Sequence, residues 1–248
     1  MMSLPASAAA LLRPVLDYVL PPRCPACGVI VPDDGRFCLD CWTGMEFLGD
    51  PCCARCGVPF DMDQGADALC APCLHAPAPV DRARAVLAYG EAARSVALKL
   101  KYGRRIGMAR LIAGHMVRHV PATGREAMIV APVPLHRWRT WNRGFNQSAL
   151  IARHLARALA MPVAMEALVR VRRTPPLKGM GPVARARTVR GAFRPGRDVE
   201  QIRGRTVILI DDVMTSGATA NACAAMLKKS GAAQVHLLCW AQIGRAHV

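Results

Sequence analysis

The spacing of apolar positions divides the chain into two parts. Between residues 23 and 75 apolar residues follow no helical or strand period, and Pro, Gly and Cys are frequent. Such a stretch cannot build a large apolar core and needs metal to hold it together. From about Asp81 onward, strand-like runs alternate with helix-like runs, which predicts an α/β sheet. The expected order begins with a strand near Ala83 to Tyr89. A helix from Glu91 to Tyr102 follows, with Val96 and Leu100 apolar and Gly103 at its end. A second helix covers about Met108 to His119, and Met128 to Pro134 is a buried strand. Gln147 to Ala160 places Ile151, Leu155 and Leu159 on one helical face. Arg170 to about Gln201 is basic, contains Pro and Gly, and shows no clear period. Val207, Ile208, Leu209 and Ile210 make a strand (Thr206 to Ile210) buried on both faces. A helix through Ala225, Met226 and Leu227 and a strand from Gln234 to Trp240 complete the pattern.

Ahead of these segments, Leu11 to Leu20 reads as a short docking helix before Pro21-Pro22. It lacks a basic leading region, and Arg13 and Asp17 interrupt it, so it is not expected to be a signal peptide. The predicted organisation is a docking helix (1–22), a cysteine-rich module (23–75), a linker with two prolines (76–82) and the α/β domain (83–242). Residues 243–248 match a translated sequencing-adapter read and are set aside. No run of about 18 uncharged apolar residues occurs, so no integral membrane segment is expected and the chain is placed in the cytoplasm.

Charge sharpens the division. Residues 1–80 carry four arginines against nine acids, whereas residues 81–248 carry 29 Lys or Arg against eight acids. The second part is therefore a strong positive field that attracts polyanions such as nucleic acid or pyrophosphate compounds.

Eight of the eleven cysteines form four Cys-x-x-Cys pairs. Cys24/Cys27 precedes Cys38/Cys41 by ten residues, and Cys53/Cys56 precedes Cys70/Cys73 by thirteen. Without an export signal these are metal thiolates, and each set of four suits one structural zinc, two in all. Gly28 and Gly57 follow the second Cys of a pair, where a knuckle turn favours glycine. That parallel selects Cys53 over Cys52 as the ligand. Sequential pairing is expected, with interleaved pairing as the alternative. A purely structural ribbon and a nucleic-acid or protein contact role are both open.

The strand at Val207 ends in Asp211-Asp212-Val213-Met214-Thr215-Ser216-Gly217-Ala218-Thr219 and opens a helix. Backbone N–H groups and the helix dipole at such a loop hold an anion such as a phosphate. The adjacent carboxylates can accept hydrogen bonds from sugar hydroxyls or sit near a metal. Together they describe a phosphorylated ribose. This stretch resembles the 5-phosphoribosyl-1-pyrophosphate loop of type I phosphoribosyltransferases. The resemblance implies a type I phosphoribosyltransferase-like fold, a mostly parallel sheet flanked by helices, preceded here by a double zinc ribbon. It also implies catalytic roles for Asp211 and Asp212 on the ribose hydroxyls and Mg²⁺. Phosphate would be held by Thr215, Ser216, Gly217, Ala218 and Thr219.

A second segment, Pro132 to Ser148, interleaves Arg137, Arg139 and Arg143 with Trp138, Trp141 and Phe145. Arg137 is a candidate for the pyrophosphate. Arg139, Trp138, Trp141, Arg143 and Phe145 are candidates for stacking on bases and tracking a phosphate backbone. His136 could serve as a base, and Arg172 and Arg173 could close over the site. Pro132-Val133-Pro134-Leu135, Arg143-Gly144-Phe145-Asn146-Gln147 and Leu98-Lys99-Leu100-Lys101-Tyr102-Gly103, with the four cysteine pairs, resemble the ComF/GntX family from about Pro21 to Trp240. The resemblance implies binding of phosphoribosyl pyrophosphate with Mg²⁺, contact with single-stranded DNA and the competence or DNA-uptake machinery, and a role in DNA uptake or utilisation. The alternative is an active phosphoribosyltransferase acting on an unknown nucleobase-like acceptor. Two departures bear on that choice, Leu177 where the family usually has Gln and Thr188 where it usually has Asn. Both fall in the hood over the site.

Overall fold

The computed structural model describes residues 20–103, 105–175 and 179–244. The expected N-terminal helix falls on residues 1–19, outside the described residues, as do Leu177 and residues 245–248. Two short helices belong to the cysteine-rich part, α1 (Leu39–Thr43) and α2 (Ala71–His75). The α/β part then runs β1 (Arg82–Ala88), α3 (Glu91–Tyr102), α4 (Gly107–Met116), β2 (Met128–Pro132), α5 (Arg137–Arg143) and α6 (Gln147–Ala158). It continues through β3 (Leu168–Arg170), α7 (Pro182–Val189), β4 (Phe193–Pro195), β5 (Thr206–Met214), α8 (Ala218–Lys229) and β6 (Gln234–Gln242).

Four strands pair in parallel in the order β1-β6-β5-β2. Along β2, β5 and the first half of β6 the apolar side chains alternate between two cores, because successive strand residues point to opposite faces. Ile208, Ile210, Leu238, Trp240 and Val130 enter one core with α3, α4 and α6. Val207, Leu209, Val235, Leu237 and Ile129 enter the other with α8, Leu168 and Phe193. A sheet covered on both faces explains why its strands read as continuous apolar runs. Trp240 is fully buried and donates its indole N–H to the Ala93 carbonyl at 3.0 Å, which satisfies the one polar atom it carries inside.

Three segments differ from expectation. Strand β5 continues past Ile210 through Asp211 and Asp212, because β6 pairs along it to Met214. The acids therefore lie within an inner strand, not beyond its end. The aromatic-basic segment, expected as a loop, contains α5, started by the His136 side chain and stopped by Gly144 at φ +83°. The aperiodic stretch Arg170 to Gln201 forms the antiparallel β3–β4 pair and helix α7, which packs against α8. Their short lengths leave too few turns for a period to be visible in sequence.

The cysteine-rich part is built into the domain. Its residues Cys24, Ala26 and Val31 share the core of α3 and α4. Phe47 forms an antiparallel bridge with Leu87, flanked by Leu48 N–H to the Val86 carbonyl (3.0 Å) and Ala88 N–H to the Glu46 carbonyl (2.9 Å). This contact covers the outer edge of β1, which would otherwise present free backbone groups. On α3, Ser95 Oγ donates to the Ala26 carbonyl (2.7 Å), and Lys99 Nζ to the carbonyls of Pro25 and Ala26 (3.0 and 2.5 Å).

The cysteine-rich part also meets β1 closely at Gly57, where φ is +70° and an added Cβ would stand 2.6 Å from the Ala83 carbonyl oxygen. Replacing it with alanine combines backbone strain with a clash against a core strand. Gly57→Ala is expected to destabilise the protein by about 1–3 kcal/mol, read as a lower urea midpoint, with the analogous Gly28→Ala milder because no atom lies within 4 Å of its added Cβ. Equal midpoints for the two variants would refute this account of the docking.

Candidate functional site

The two acids of β5 have different surroundings. Asp212 is buried, and its Oδ1 accepts the Val213 N–H at 2.8 Å. Its Oδ2 lies 2.7 Å from Lys101 Nζ as an ion pair, although no hydrogen bond of good angle reaches that oxygen. Burial lowers the Lys101 pKa, but the Asp212 charge outweighs it and holds the ammonium above its ordinary value. Asp211 Oδ1 accepts the Asp212 N–H (2.9 Å) and the Ser148 hydroxyl (3.3 Å). Burial, then the negative charge of Asp212, push Asp211 up to about 7, against the opposing pull of its N–H donor, Lys101 and Ser148. Asp211 Oδ2 accepts no hydrogen bond among the described residues. Oxygens of this kind suit a hard cation such as Mg²⁺.

No site role is expected from sequence for Lys101, which stands within the Leu98–Gly103 motif, or for Ser148, yet each carries a signal. Lys101 is the next i+4 step after the buried Ala93 and Ala97, so a charge stands on an apolar stripe. Ser148, only 1% exposed, stands at the head of the Ile151–Ala152–Leu155 stripe.

The expected phosphate loop follows directly. Gly217 is the N-cap of α8 at φ +72°, with no side chain capping the helix, so the first-turn N–H groups are left for an external partner. Ser216 Oγ is buried and has no partner among the described residues. An orphaned hydroxyl beside an uncapped helix start is an arrangement that an anion completes. The second ribbon forms a wall here, since Arg55, Cys56 and Cys73 line a small cleft together with Thr215, Ser216 and Gly217.

Helix α5 stands beside β2. His136 is buried, and its Nδ1 accepts the Trp138 N–H (3.3 Å) as the helix cap. Burial, then the charges of Arg137 and Arg170, lower its pKa, which keeps it the neutral acceptor that the cap requires. Trp138 and Trp141 are 48% and 74% exposed and meet edge-to-face, ring centroids 5.5 Å apart. Arg173 lies over the Trp138 ring at 5.4 Å. Arg137 is exposed at the lip of an open cleft of about 1,320 Å³ that also takes in Trp138, Trp141 and Arg170. Arg139 is tied to the Thr174 carbonyl (2.9 Å). Arg143 bonds Gln147 (2.6 Å), lies over the Tyr102 ring and repels Lys101. Phe145 is partly buried and packs against the core of α3, α4 and α6. Arg172 donates to the Thr188 carbonyl (2.6 Å) at the end of α7.

The eight paired cysteines form two tetrads, Cys24/Cys27/Cys38/Cys41 and Cys53/Cys56/Cys70/Cys73, with the sulfurs of each within 4.8 Å of one another. Cys27 and Cys38 sulfurs are 3.6 Å apart and those of Cys56 and Cys70 3.5 Å. A zinc with four thiolates at about 2.3 Å needs sulfurs about 3.8 Å apart, so both tetrads fit a structural zinc with sequential pairing. The two knuckles repeat each other. Burial alone would raise Cys24, but N–H groups of Cys38, Cys27 and Ala26 hold it at about 6. Cys56, Cys70 and Arg55 do the same for Cys53, also about 6. Cys52 lies outside the second tetrad, buried, with its thiol on Asp50 Oδ1 (3.3 Å).

Two outcomes follow from the acid pair. Lys101→Met leaves Asp212 buried without its cation and is expected to cost on the order of 2–3 kcal/mol, below the value for fully buried pairs because Lys101 keeps some solvent contact. Adding Asp212→Asn should restore most of that loss in a double-mutant cycle of urea midpoints; strict additivity would refute the coupling. For Asp211, the folded state holds its proton more tightly than the unfolded chain, so its contribution to stability is present at low pH and is lost as pH rises through about 7. Asp211→Asn should therefore melt a few degrees higher than the parent at pH 8 and show no gain at pH 4. A gain independent of pH would refute the assignment.

Comparison with known proteins agrees with this architecture. Residues 15–77 match the double zinc ribbon domain and residues 146–245 the phosphoribosyl transferase domain. The chain is 32% identical over 192 residues to the DNA utilization protein YhgH of Escherichia coli (strain K12), covering 75% of this chain and 82% of that protein. It is 27% identical, over the same shares, to competence protein F of Haemophilus influenzae. No helix among the described residues is long and apolar enough to cross a membrane. Two four-cysteine tetrads joined to a parallel sheet, whose inner strand carries an acid pair and leads into a glycine-capped helix start, together with these matches, place the chain in the ComF/GntX family of double zinc ribbon–phosphoribosyltransferase proteins.

Proposed function

We propose that the β5–α8 loop binds phosphoribosyl pyrophosphate with Mg²⁺, and that the aromatic face of α5 binds single-stranded DNA, in a role in DNA uptake or utilisation. The observation that carries the first part is the orphaned Ser216 hydroxyl at the uncapped start of α8, directly after the two carboxylates. In this reading Thr215, Ser216, Gly217, Ala218 and Thr219 hold the 5-phosphate. Asp211 and Asp212 take the ribose hydroxyls and Mg²⁺, and Arg137 faces the pyrophosphate. Bound Mg²⁺ supplies charge neutralisation for the pyrophosphate. Lys101 then has two candidate partners, Asp212 and the incoming phosphates.

The DNA reading is supported by two exposed indoles set among arginines, a surface on which bases stack and phosphates are tracked. The names of the relatives, DNA utilization and competence proteins, point the same way. The large open cleft beside Trp138 and Arg170 keeps a second reading in view, transfer of phosphoribose to a planar acceptor seated there. Release of pyrophosphate that depends on one added nucleobase would establish it.

Calorimetry with phosphoribosyl pyrophosphate and Mg²⁺ should show binding in the parent and at least about tenfold weaker binding in Asp211→Ala/Asp212→Ala. Normal binding by that variant would sink the site assignment. Trp138→Ala/Trp141→Ala should weaken binding of an oligothymidine by roughly tenfold or more and leave the pyrophosphate ligand unaffected, since each stacked base contributes about 1–3 kcal/mol. Unchanged DNA affinity would remove α5 from the interface.

A further inference from the structure

The end of the sheet opposite the phosphate loop carries a second concentration of positive charge. Arg82 and Arg84 lie at the start of β1, and Arg118, His119 and Arg125 lie between α4 and β2. The strands are parallel, and Arg82 and Arg84 stand in register with Ile208 and Ile210 of β5, so the cluster lies toward the amino end of the sheet, roughly 17–23 Å along the strands from Thr215. They line an open cleft of about 440 Å³, whose ribbon-side wall is Gly49 and Asp50. That volume is in the range of about 300–1,000 Å³ that small-ligand sites occupy.

The charge there is not balanced by the protein. Asp50 is the single carboxylate in the lining, and among the described residues none of the four guanidiniums has an acid within 4.0 Å. Arg82 is partly buried, and its Nε has no partner among the described residues. Burial and Arg84 both lower its pKa. The other cations are held in place by contacts that leave their charge uncompensated. Arg84 donates to the carbonyls of Cys53 and Ala54 (3.3 and 3.1 Å), Arg125 to the Pro121 carbonyl (2.8 Å), and Arg118 lies over the Phe47 ring at 5.0 Å. His119 is driven down to about 4 by burial and by Arg118, Arg84 and Arg82, so the imidazole stays neutral and accepts from Arg118 Nε (3.2 Å). Four positioned guanidiniums with one acid among them repel each other until an anion enters, and guanidinium forks match phosphate oxygens.

We propose that this cleft is a second anion site, which takes the phosphate groups of a nucleotide or of a nucleic-acid strand at the end of the sheet remote from the phosphate loop. It is lined by both parts of the chain, so an anion bound there would also clamp the ribbon to the domain.

The test uses the full zinc-loaded chain at fixed salt with two probes, inorganic tripolyphosphate and a labelled oligothymidine of about 20 residues. Arg82→Gln/Arg118→Gln removes two charges at the cleft. Arg153→Gln/Arg157→Gln removes two from the exposed side of α6 and controls for net charge. The cleft variant should bind at least one probe about tenfold more weakly than the control variant does. Loss for tripolyphosphate alone identifies a free nucleotide-type ligand, and loss that includes the oligothymidine identifies a strand. Arg118→Gln alone, at an exposed position, should give a smaller loss in the same direction if the double variant folds poorly. Cleft and control variants that weaken both probes equally would overturn the proposal, leaving only the general field of a basic domain. Binding of phosphoribosyl pyrophosphate with Mg²⁺ should be unchanged in all variants, which separates failure here from failure at the phosphate loop.

Discussion

Two adjacent carboxylates inside an inner strand of a parallel sheet impose the constraint around which this molecule is arranged. Charge in such a place is costly unless it is paired and hydrogen-bonded. The partners come from three directions: the Lys101 ammonium from the end of α3, the Ser148 hydroxyl from the start of α6, and the backbone N–H groups of β5 itself. Helices α3 and α6 are thereby fixed at the carboxyl end of the sheet by electrostatics as well as by packing. The balance is incomplete, since burial pushes Asp211 up to about 7 and the Ser216 hydroxyl has no partner among the described residues. An incompletely balanced group at the mouth of a helix is the physical opening for a ligand.

The ribbons answer a different problem. A parallel sheet needs both edges managed, and β1 is an edge strand. The segment around Phe47 pairs with it, while the knuckles anchor on α3 through Lys99 and Ser95 and on β1 through Arg84. Zinc-type tetrads make a segment that has little core of its own rigid enough to act as that cover. The same docking brings Arg55 and Cys73 beside the β5–α8 loop and Asp50 beside the arginines of the other cleft, so the ribbon forms part of both clefts.

Much of the site was legible in the chain because it is local. Val207 to Thr219 is one strand, one turn and one helix start, and the order of residue types states its chemistry. The cysteine pairs are legible for the same reason, since each knuckle is four residues long. Helix α5 was not, because its seven residues are too few for a period and its cap is a histidine, an unusual starter. The β3–β4 pair is only three residues a side and depends on partners far apart in sequence. The aromatic candidates also divided on folding, with Trp138 and Trp141 exposed and Phe145 packed into the core.

The sequence by itself determined the α/β class, the two sets of metal thiolates, the acidic strand with its glycine-capped helix, and the basic character of the second part. These are set by local spacing and composition, which need no knowledge of what lies across the sheet. Tertiary structure alone decided that Lys101 neutralises Asp212, that Ser148 reaches Asp211, and that the ribbon closes the edge of β1. It also decided that five basic residues from β1 and the α4–β2 connection surround one cleft. Those pairings join residues tens of positions apart, and a pairwise electrostatic energy depends on distance and burial, neither of which is written in the spacing along a chain.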